Sequence, residues 1–278
     1  MLDLEIKEYL SRVGIRKISE LDMALIETFG QIEGERHIKQ LTELFDQSEK
    51  RLVYGTGDTP YLYRQDELVN YLNQSMEMSL LSSSFYDYVF FRRVMAYLLR
   101  YDSFWTGDIF DIGCGNGILT CFLALQHPDS FITGLELSRN AVSVADELAK
   151  RLQVSNVHFT NPEAPRQKMC DTLFSCRTVH ENIACRALCV EQKMAALSIE
   201  EQANRYEKYA KELAALVKAK GYLVSVERYE NDSAYSGLIQ ALERSGFSQV
   251  RGTYMQFSCK NGDKTAAFLA MIFQKAGV

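Results

Sequence analysis

The sequence predicts an α/β fold: a seven-stranded mixed sheet with helices on both faces and an antiparallel C-terminal hairpin, preceded by a cap of helices. Three observations predict it. From Asp108 onward, apolar runs of strand length alternate with helical stretches, the pattern of a parallel sheet wrapped by helices. The first of these runs leads into Asp111-Ile112-Gly113-Cys114-Gly115-Asn116-Gly117, a glycine loop that opens a helix. Two β-rich runs close the chain around Asn261-Gly262-Asp263, a hairpin turn that makes the last strand antiparallel.

Residues 1–105 read as helices, a cap that serves either substrate binding or dimerisation, and residues 106–278 as the sheet domain. Leu2, Ile6, Tyr9, Leu10 and Val13 form a helical stripe that Gly14 stops. A second stripe runs through Leu21, Leu25, Phe29, Ile32, Ile38, Leu41 and Phe45. After the turn-rich stretch Tyr54–Pro60, helical patterning resumes through Leu68, Tyr71 and Leu72, and again from Tyr86 to Leu99. The predicted strands are Ile109–Ile112, Phe131–Leu135, Val157–Thr160, Thr172–Cys176, Tyr222–Val226, Gln249–Ser258 and Thr265–Phe273. Between them lie helices at Ile118–Gln126, Arg139–Leu152 with Ser138 as N-cap, a long helical region Glu181–Lys220, and Ser233–Ser245. Within the long region, Ser198-Ile199-Glu200-Glu201 reads as a capping box.

Composition narrows the function. The chain has 278 residues, 47% of them hydrophobic and 24% charged, ordinary for a folded protein and unlike a disordered one. A net charge of −5 lacks the broad positive field that carries non-specific nucleic-acid binding. The seven cysteines are an odd number in a chain large enough to fold without disulfides, so reduced thiols are the simpler reading. Cys185 and Cys189 have no second Cys/His pair nearby to complete a zinc site, and no metal is expected. The opening MLDLEIKEYL carries Asp3, Glu5 and Glu8 and lacks a leader's apolar core, and no apolar run reaches the ~20 residues that span a bilayer. A cytoplasmic protein without membrane partners is the expectation.

The glycine loop carries the chemistry. Glycines let the backbone turn sharply and approach a ligand, and the following helix offers free N–H groups. A dinucleotide fingerprint needs G-x-G-x-x-G; here the third glycine comes one residue early and Ile118 holds its place. Asp111 would repel a pyrophosphate, so the loop is built for a ligand with a positive end. Glu136 ends the second strand, where a carboxylate can take both hydroxyls of a ribose.

These features resemble the class I S-adenosylmethionine-dependent methyltransferases. The resemblance covers about 108–278 and rests on D-I-G-C-G-N-G at 111–117, G-L-E-L-S at 134–138, D-T-L-F-S-C at 171–176 and the closing hairpin. It implies a Rossmann-like fold and S-adenosyl-L-methionine as cofactor. It implies that Asp111 and the backbone of Gly113, Cys114, Gly115 and Gly117 hold the methionine part, that Glu136 with Leu137 meets the ribose, that Glu163 and Ala164 meet the adenine, and that Cys176 flanks the methionine. An acid after the third strand is the family's habit, although Pro162 is unusual there.

Methyl transfer mainly requires the acceptor to be held in line, about 3 Å from the methyl carbon, away from water. A base is needed only where the acceptor must lose a proton. His180 and Glu181, just past the fourth strand, are the best-placed candidates, His180 serving either as base or as a helix cap. Glu227, ending the fifth strand on the same edge, could orient an amine or hydroxyl. Cys176-Arg177-Thr178-Val179 replaces the N/D-P-P-Y/F motif of enzymes acting on adenine N6 or glutamine, and Ser175-Cys176 lacks the proline that often precedes a cytosine-C5 nucleophile. Glu181 and Glu191 miss the register of the arginine methyltransferases' paired glutamates. The aromatic side chains of the cap (Tyr54, Tyr61, Tyr63, Tyr71, Phe85, Tyr86, Tyr88, Phe90, Phe91 and Trp105) serve packing or attract a cation, and Arg92 or Arg93 could reach a carboxylate.

The reading is a methyltransferase acting on O or N of a small polar molecule. The alternatives are a protein or peptide acceptor, a cofactor-binding regulatory subunit without turnover, and a nicotinamide-dependent oxidoreductase. The helices at 1–50 suit a homodimer interface or intramolecular packing equally.

Overall fold

The computed structural model describes residues 2–54, 62–161, 169–179, 197–229, 231–261 and 264–277. Six helices come first: α1 (Leu2–Val13), α2 (Leu21–Phe29), α3 (Gln31–Tyr54), α4 (Leu62–Leu72), α5 (Met76–Tyr86) and α6 (Tyr88–Arg100). The sheet region follows as β1 (Asp108–Ile112), α7 (Ile118–Gln126), β2 (Phe131–Leu135), α8 (Arg139–Leu152), β3 (Val157–Thr160) and β4 (Cys170–Cys176). Then come α9 (Ile199–Leu216), β5 (Val217–Arg228), α10 (Asp232–Arg244), β6 (Phe247–Gln249), β7 (Met255–Asn261) and β8 (Lys264–Lys275).

The sheet order is β3-β2-β1-β4-β5-β8, with β6 and β7 both on the far edge of β8. The first five strands are parallel and β8 runs antiparallel to β5, as the closing hairpin predicts. Among the described residues the sheet has eight strands rather than seven, because the expected run Gln249–Ser258 breaks in two. The break turns at Gly252 (φ +79°), and the Thr253 hydroxyl accepts the Ile272 N–H at 3.1 Å. A tyrosine of α6, Tyr97, donates to the Thr253 carbonyl at 2.8 Å and fixes the turn from the cap side.

Strand alternation divides the core between the two faces. Ile109, Phe174, Val224 and Val226 face a cluster shared with α1, α6, α7 and α8. Phe110, Leu173 and Leu223 face α9 and α10. The apolar stripe of α1 is buried within the chain: Ile6, Tyr9, Leu10 and Val13 are each at most 7% exposed, and the Tyr9 hydroxyl donates to the Ile118 carbonyl at 2.6 Å. A separate small core joins α2, α3 and α5 through Leu25, Leu41, Met78 and Leu81, with Leu68 and Leu72 of α4 packed against it. The second stripe is cut at Gly30 (φ +81°), which leaves Ile32 86% exposed.

The capping box at Ser198 forms as expected, with the Glu201 carboxylate accepting the Ser198 N–H at 2.8 Å. The helix it opens, expected from the sequence to reach Lys218, stops at Leu216. Val217 instead starts β5 beside Cys170, and Lys218 pairs with Asp171 at 2.7 Å. Tertiary pairing overrides the helical propensity of the Leu-Val-Lys-Ala-Lys run. No helix among the described residues is long and apolar enough to cross a membrane.

Candidate functional site

The carboxyl ends of β1, β2 and β4 open on a cleft of about 280 Å³. Its floor is the glycine loop. Gly113 (φ +67°) leaves β1 by donating its N–H to the Leu135 carbonyl at 2.8 Å. A side chain there would strike the Thr178 methyl, 2.6 Å from the position of a Cβ. Gly115 (φ +54°) differs: a Cβ would meet nothing within 4 Å, and the residue faces the cleft. The first turn thus needs glycine for packing, while the second leaves room for a ligand to approach the backbone.

Two carboxylates flank this room. Asp111 lies at the end of β1 and is 2% exposed. The Thr120 hydroxyl donates to its Oδ2 at 2.6 Å. Burial, reinforced by the neighbouring Glu136 and opposed by the Thr120 bond, raises its pKa from 3.8 to about 7. Glu136 follows β2, its Oε2 accepting the Gly115 N–H at 3.0 Å and its Oε1 the Ser138 N–H at 2.9 Å. These bonds aim the carboxylate along the loop, and each oxygen has a second lone pair for a ligand hydroxyl. Asp111 and Glu136 line the same cleft.

The roof comes from the N-terminal helices. Ser75 caps α5 by accepting the Met78 N–H, and α5 turns Ser79, Ser82 and Ser83 toward the loop. Asn116 of the glycine loop donates through Nδ2 to Ser79 and Ser83, each at 2.9 Å. Asn70 of α4 accepts from the Ser138 hydroxyl at 2.6 Å. On the opposite rim Arg177, just past β4, donates to Asp87 between α5 and α6 at 2.7 Å and lies 5.0 Å over the Phe90 ring. Tyr86, Phe90 and Phe91 complete an aromatic wall.

Behind β4, on the other face of the sheet, Glu227 is 3% exposed. The Ser175 hydroxyl donates to its Oε1 at 2.6 Å and the Val179 N–H to its Oε2 at 3.1 Å. Thr178 joins the group, its hydroxyl 2.6 Å from those of Ser175 and Tyr209. Glu227 therefore holds the turn that leaves β4.

Of the residues singled out from the sequence, Asp111, Gly113, Cys114, Gly115, Glu136, Leu137 and Cys176 come together in the cleft. Gly117 (φ +77°) begins α7 beneath it, packed against Ala145 and Phe159. Glu227 stands apart, in the buried cluster just described. His180, Glu181, Glu163 and Ala164 lie outside the described residues. The thiols of Cys114 and Cys176 have pKa values well above 9.0, through burial first and then nearby carboxylates, so both are poor nucleophiles. Arg92 faces away and pairs with Asp3 of α1. Sequence reasoning missed Arg177, Asn116 and the α5 serines as site residues, although Arg177 stood where the N/D-P-P-Y/F motif was sought.

Residues 106–227 match the family described as methyltransferase domain. No curated protein matches the chain in sequence. Among solved structures, a candidate RNA methyltransferase from Pyrococcus horikoshii aligns with TM-score 0.50 at 10% identity, over 70% of this chain and 87% of that one, a likeness of fold. The magnesium protoporphyrin IX methyltransferase of Synechocystis PCC 6803, solved with S-adenosylmethionine bound, aligns with TM-score 0.46 at 16% identity over 93% of this chain and 99% of that one. A methyltransferase from Pyrococcus furiosus aligns with TM-score 0.46 at 15% identity over 66% and 82% of the two chains.

Proposed function

We propose that this chain, whose residues 106–227 match a methyltransferase domain, is a class I S-adenosylmethionine-dependent methyltransferase that methylates O or N of a small polar molecule held beneath its N-terminal helices. The observation that supports the substrate class is the roof: α5 and α6 are tied to the loop by Asn116 and to the β4 turn by Arg177, so these helices cover one side of the cleft. Hydroxyls and aromatic rings on the walls of a concave cleft suit a small polar molecule.

The residues present fit the cofactor. Gly115 leaves the approach to the backbone open, and the two acids face one space. Asp111, ionised, would hold the ammonium and Glu136 the ribose hydroxyls, with Gly113, Cys114 and Leu137 alongside and Cys176 flanking the methionine. Bound S-adenosylmethionine supplies a sulfonium methyl group, which an acceptor lone pair takes by in-line displacement. The chain's part is to exclude water, align the acceptor and remove its proton. For that last task the reading assigns His180, with Glu181 beside it. His180 follows Val179, whose N–H is fixed by Glu227, so Glu227 acts as a positioning residue for the segment.

The test is transfer of labelled methyl from S-adenosylmethionine into a cell extract separated by mass. The reading expects label in the low-mass fraction, and turnover lost in His180→Ala with cofactor affinity kept. Label confined to the protein or nucleic-acid fraction would overturn the substrate class.

A further inference from the structure

The charges of the cleft frame a question that the cofactor reading leaves open. Among the described residues lining it, Asp87, Asp111 and Glu136 are acidic and Arg177 is the one cation. The amino-acid end of S-adenosylmethionine carries a carboxylate beside its ammonium. Asp111 answers the ammonium and repels the carboxylate on the same carbon. A ligand carboxylate taken out of water without a cation is costly.

Arg177 lines the same cleft as Asp111 and Cys176. Its N–H donates to the Val226 carbonyl at 2.9 Å, which pins the backbone as it leaves the sheet. The next residue, Thr178, lies against Gly113. Arg177 therefore sits between Cys176 and the glycine turn, at the end of the cleft where Asp111 lies. Its φ of +62° is a left-handed conformation that costs a residue other than glycine about 1 kcal/mol. Asp87 and the Phe90 ring hold the guanidinium across the cleft rim. A guanidinium is a planar fork with five N–H donors, so it can serve Asp87 and a second carboxylate together.

Resting on the cofactor reading, we propose that Arg177 receives the carboxylate at the amino-acid end of the cofactor. The experiment is calorimetric titration of the full chain with S-adenosylmethionine and with its decarboxylated analogue, which keeps the sulfonium, nucleoside and amine. In Arg177→Gln, affinity for S-adenosylmethionine should fall about 10- to 100-fold, as for a lost charge-assisted pair, while affinity for the analogue stays within about twofold. Arg177→Lys, which keeps a point charge and loses the fork, should lie between and serves if the glutamine variant does not fold. Equal losses for both ligands would make Arg177 structural, and an unchanged affinity for S-adenosylmethionine would also overturn the proposal. If the wild-type chain binds neither ligand, the cofactor reading itself fails and the proposal falls with it.

Discussion

Replacing Asp111 by asparagine should stabilise the free protein and weaken its cofactor site. Asp111 is 2% exposed, and burial raises its pKa from 3.8 to about 7. The folded state therefore favours the neutral acid. The resulting stabilisation is complete below about pH 4 and is lost as pH rises toward 7. At pH 8 the ionised carboxylate costs the free protein about 4 kcal/mol relative to an unperturbed one, from three pKa units at about 1.36 kcal/mol each. Asparagine keeps the shape and can accept the Thr120 hydroxyl, but its amide N–H groups need partners of their own, which returns roughly 2 kcal/mol. A net gain of about 2 kcal/mol corresponds to a melting temperature higher by about 4–8 °C at pH 8. On the same arithmetic the gain should vanish between about pH 5 and 6 and turn into a loss of about 2 kcal/mol near pH 4, where the folded wild-type acid is already neutral. Thermal melts across pH read the stability, and titration with S-adenosylhomocysteine reads the site. Wild-type affinity should fall about eightfold from pH 7.5 to 6 as Asp111 protonates, whereas the variant should bind at least tenfold more weakly and without this dependence. A variant less stable at pH 8, with wild-type binding, would refute the role given to Asp111.

Further predictions follow from the loop and its surroundings. Gly113→Ala should lower the melting temperature more than Gly115→Ala, because a Cβ at 113 lies 2.6 Å from Thr178 and one at 115 meets nothing within 4 Å; only the second should fold well yet bind S-adenosylhomocysteine poorly, as calorimetry would show. Asn116→Ala removes both bonds to α5 and should destabilise by about 1–2 kcal/mol in a denaturant melt. Glu227→Gln puts an amide donor against the Ser175 hydroxyl or the Val179 N–H, and should cost about 1–3 kcal/mol and reduce turnover while leaving cofactor affinity unchanged.

The parts legible in the sequence were those written in neighbouring residues. The glycine loop, the acid ending β2, the Ser198 capping box and the closing hairpin each depend on a few adjacent positions. The parts that escaped depend on distant pairing. Val217–Lys220 follows a helical run and reads as its continuation until Cys170 pairs with Val217. The break between β6 and β7 is set by Tyr97 and Ile272, far from Gly252 in sequence. Arg177 looks like a loop residue until Asp87 and Phe90 come across to meet it. The serines of α5 fall between the helical runs read at Leu68–Leu72 and Tyr86–Leu99, and nothing local marks them until Asn116 bonds Ser79 and Ser83 to the glycine loop.

The most direct measurement is calorimetric titration of S-adenosylhomocysteine and, separately, of a nicotinamide dinucleotide into the wild-type chain and Glu136→Ala. The account predicts one S-adenosylhomocysteine per wild-type chain, affinity reduced at least tenfold in the variant, and no heat from the dinucleotide. Binding of the dinucleotide alone, or S-adenosylhomocysteine binding that ignores loss of the Glu136 carboxylate, would contradict it.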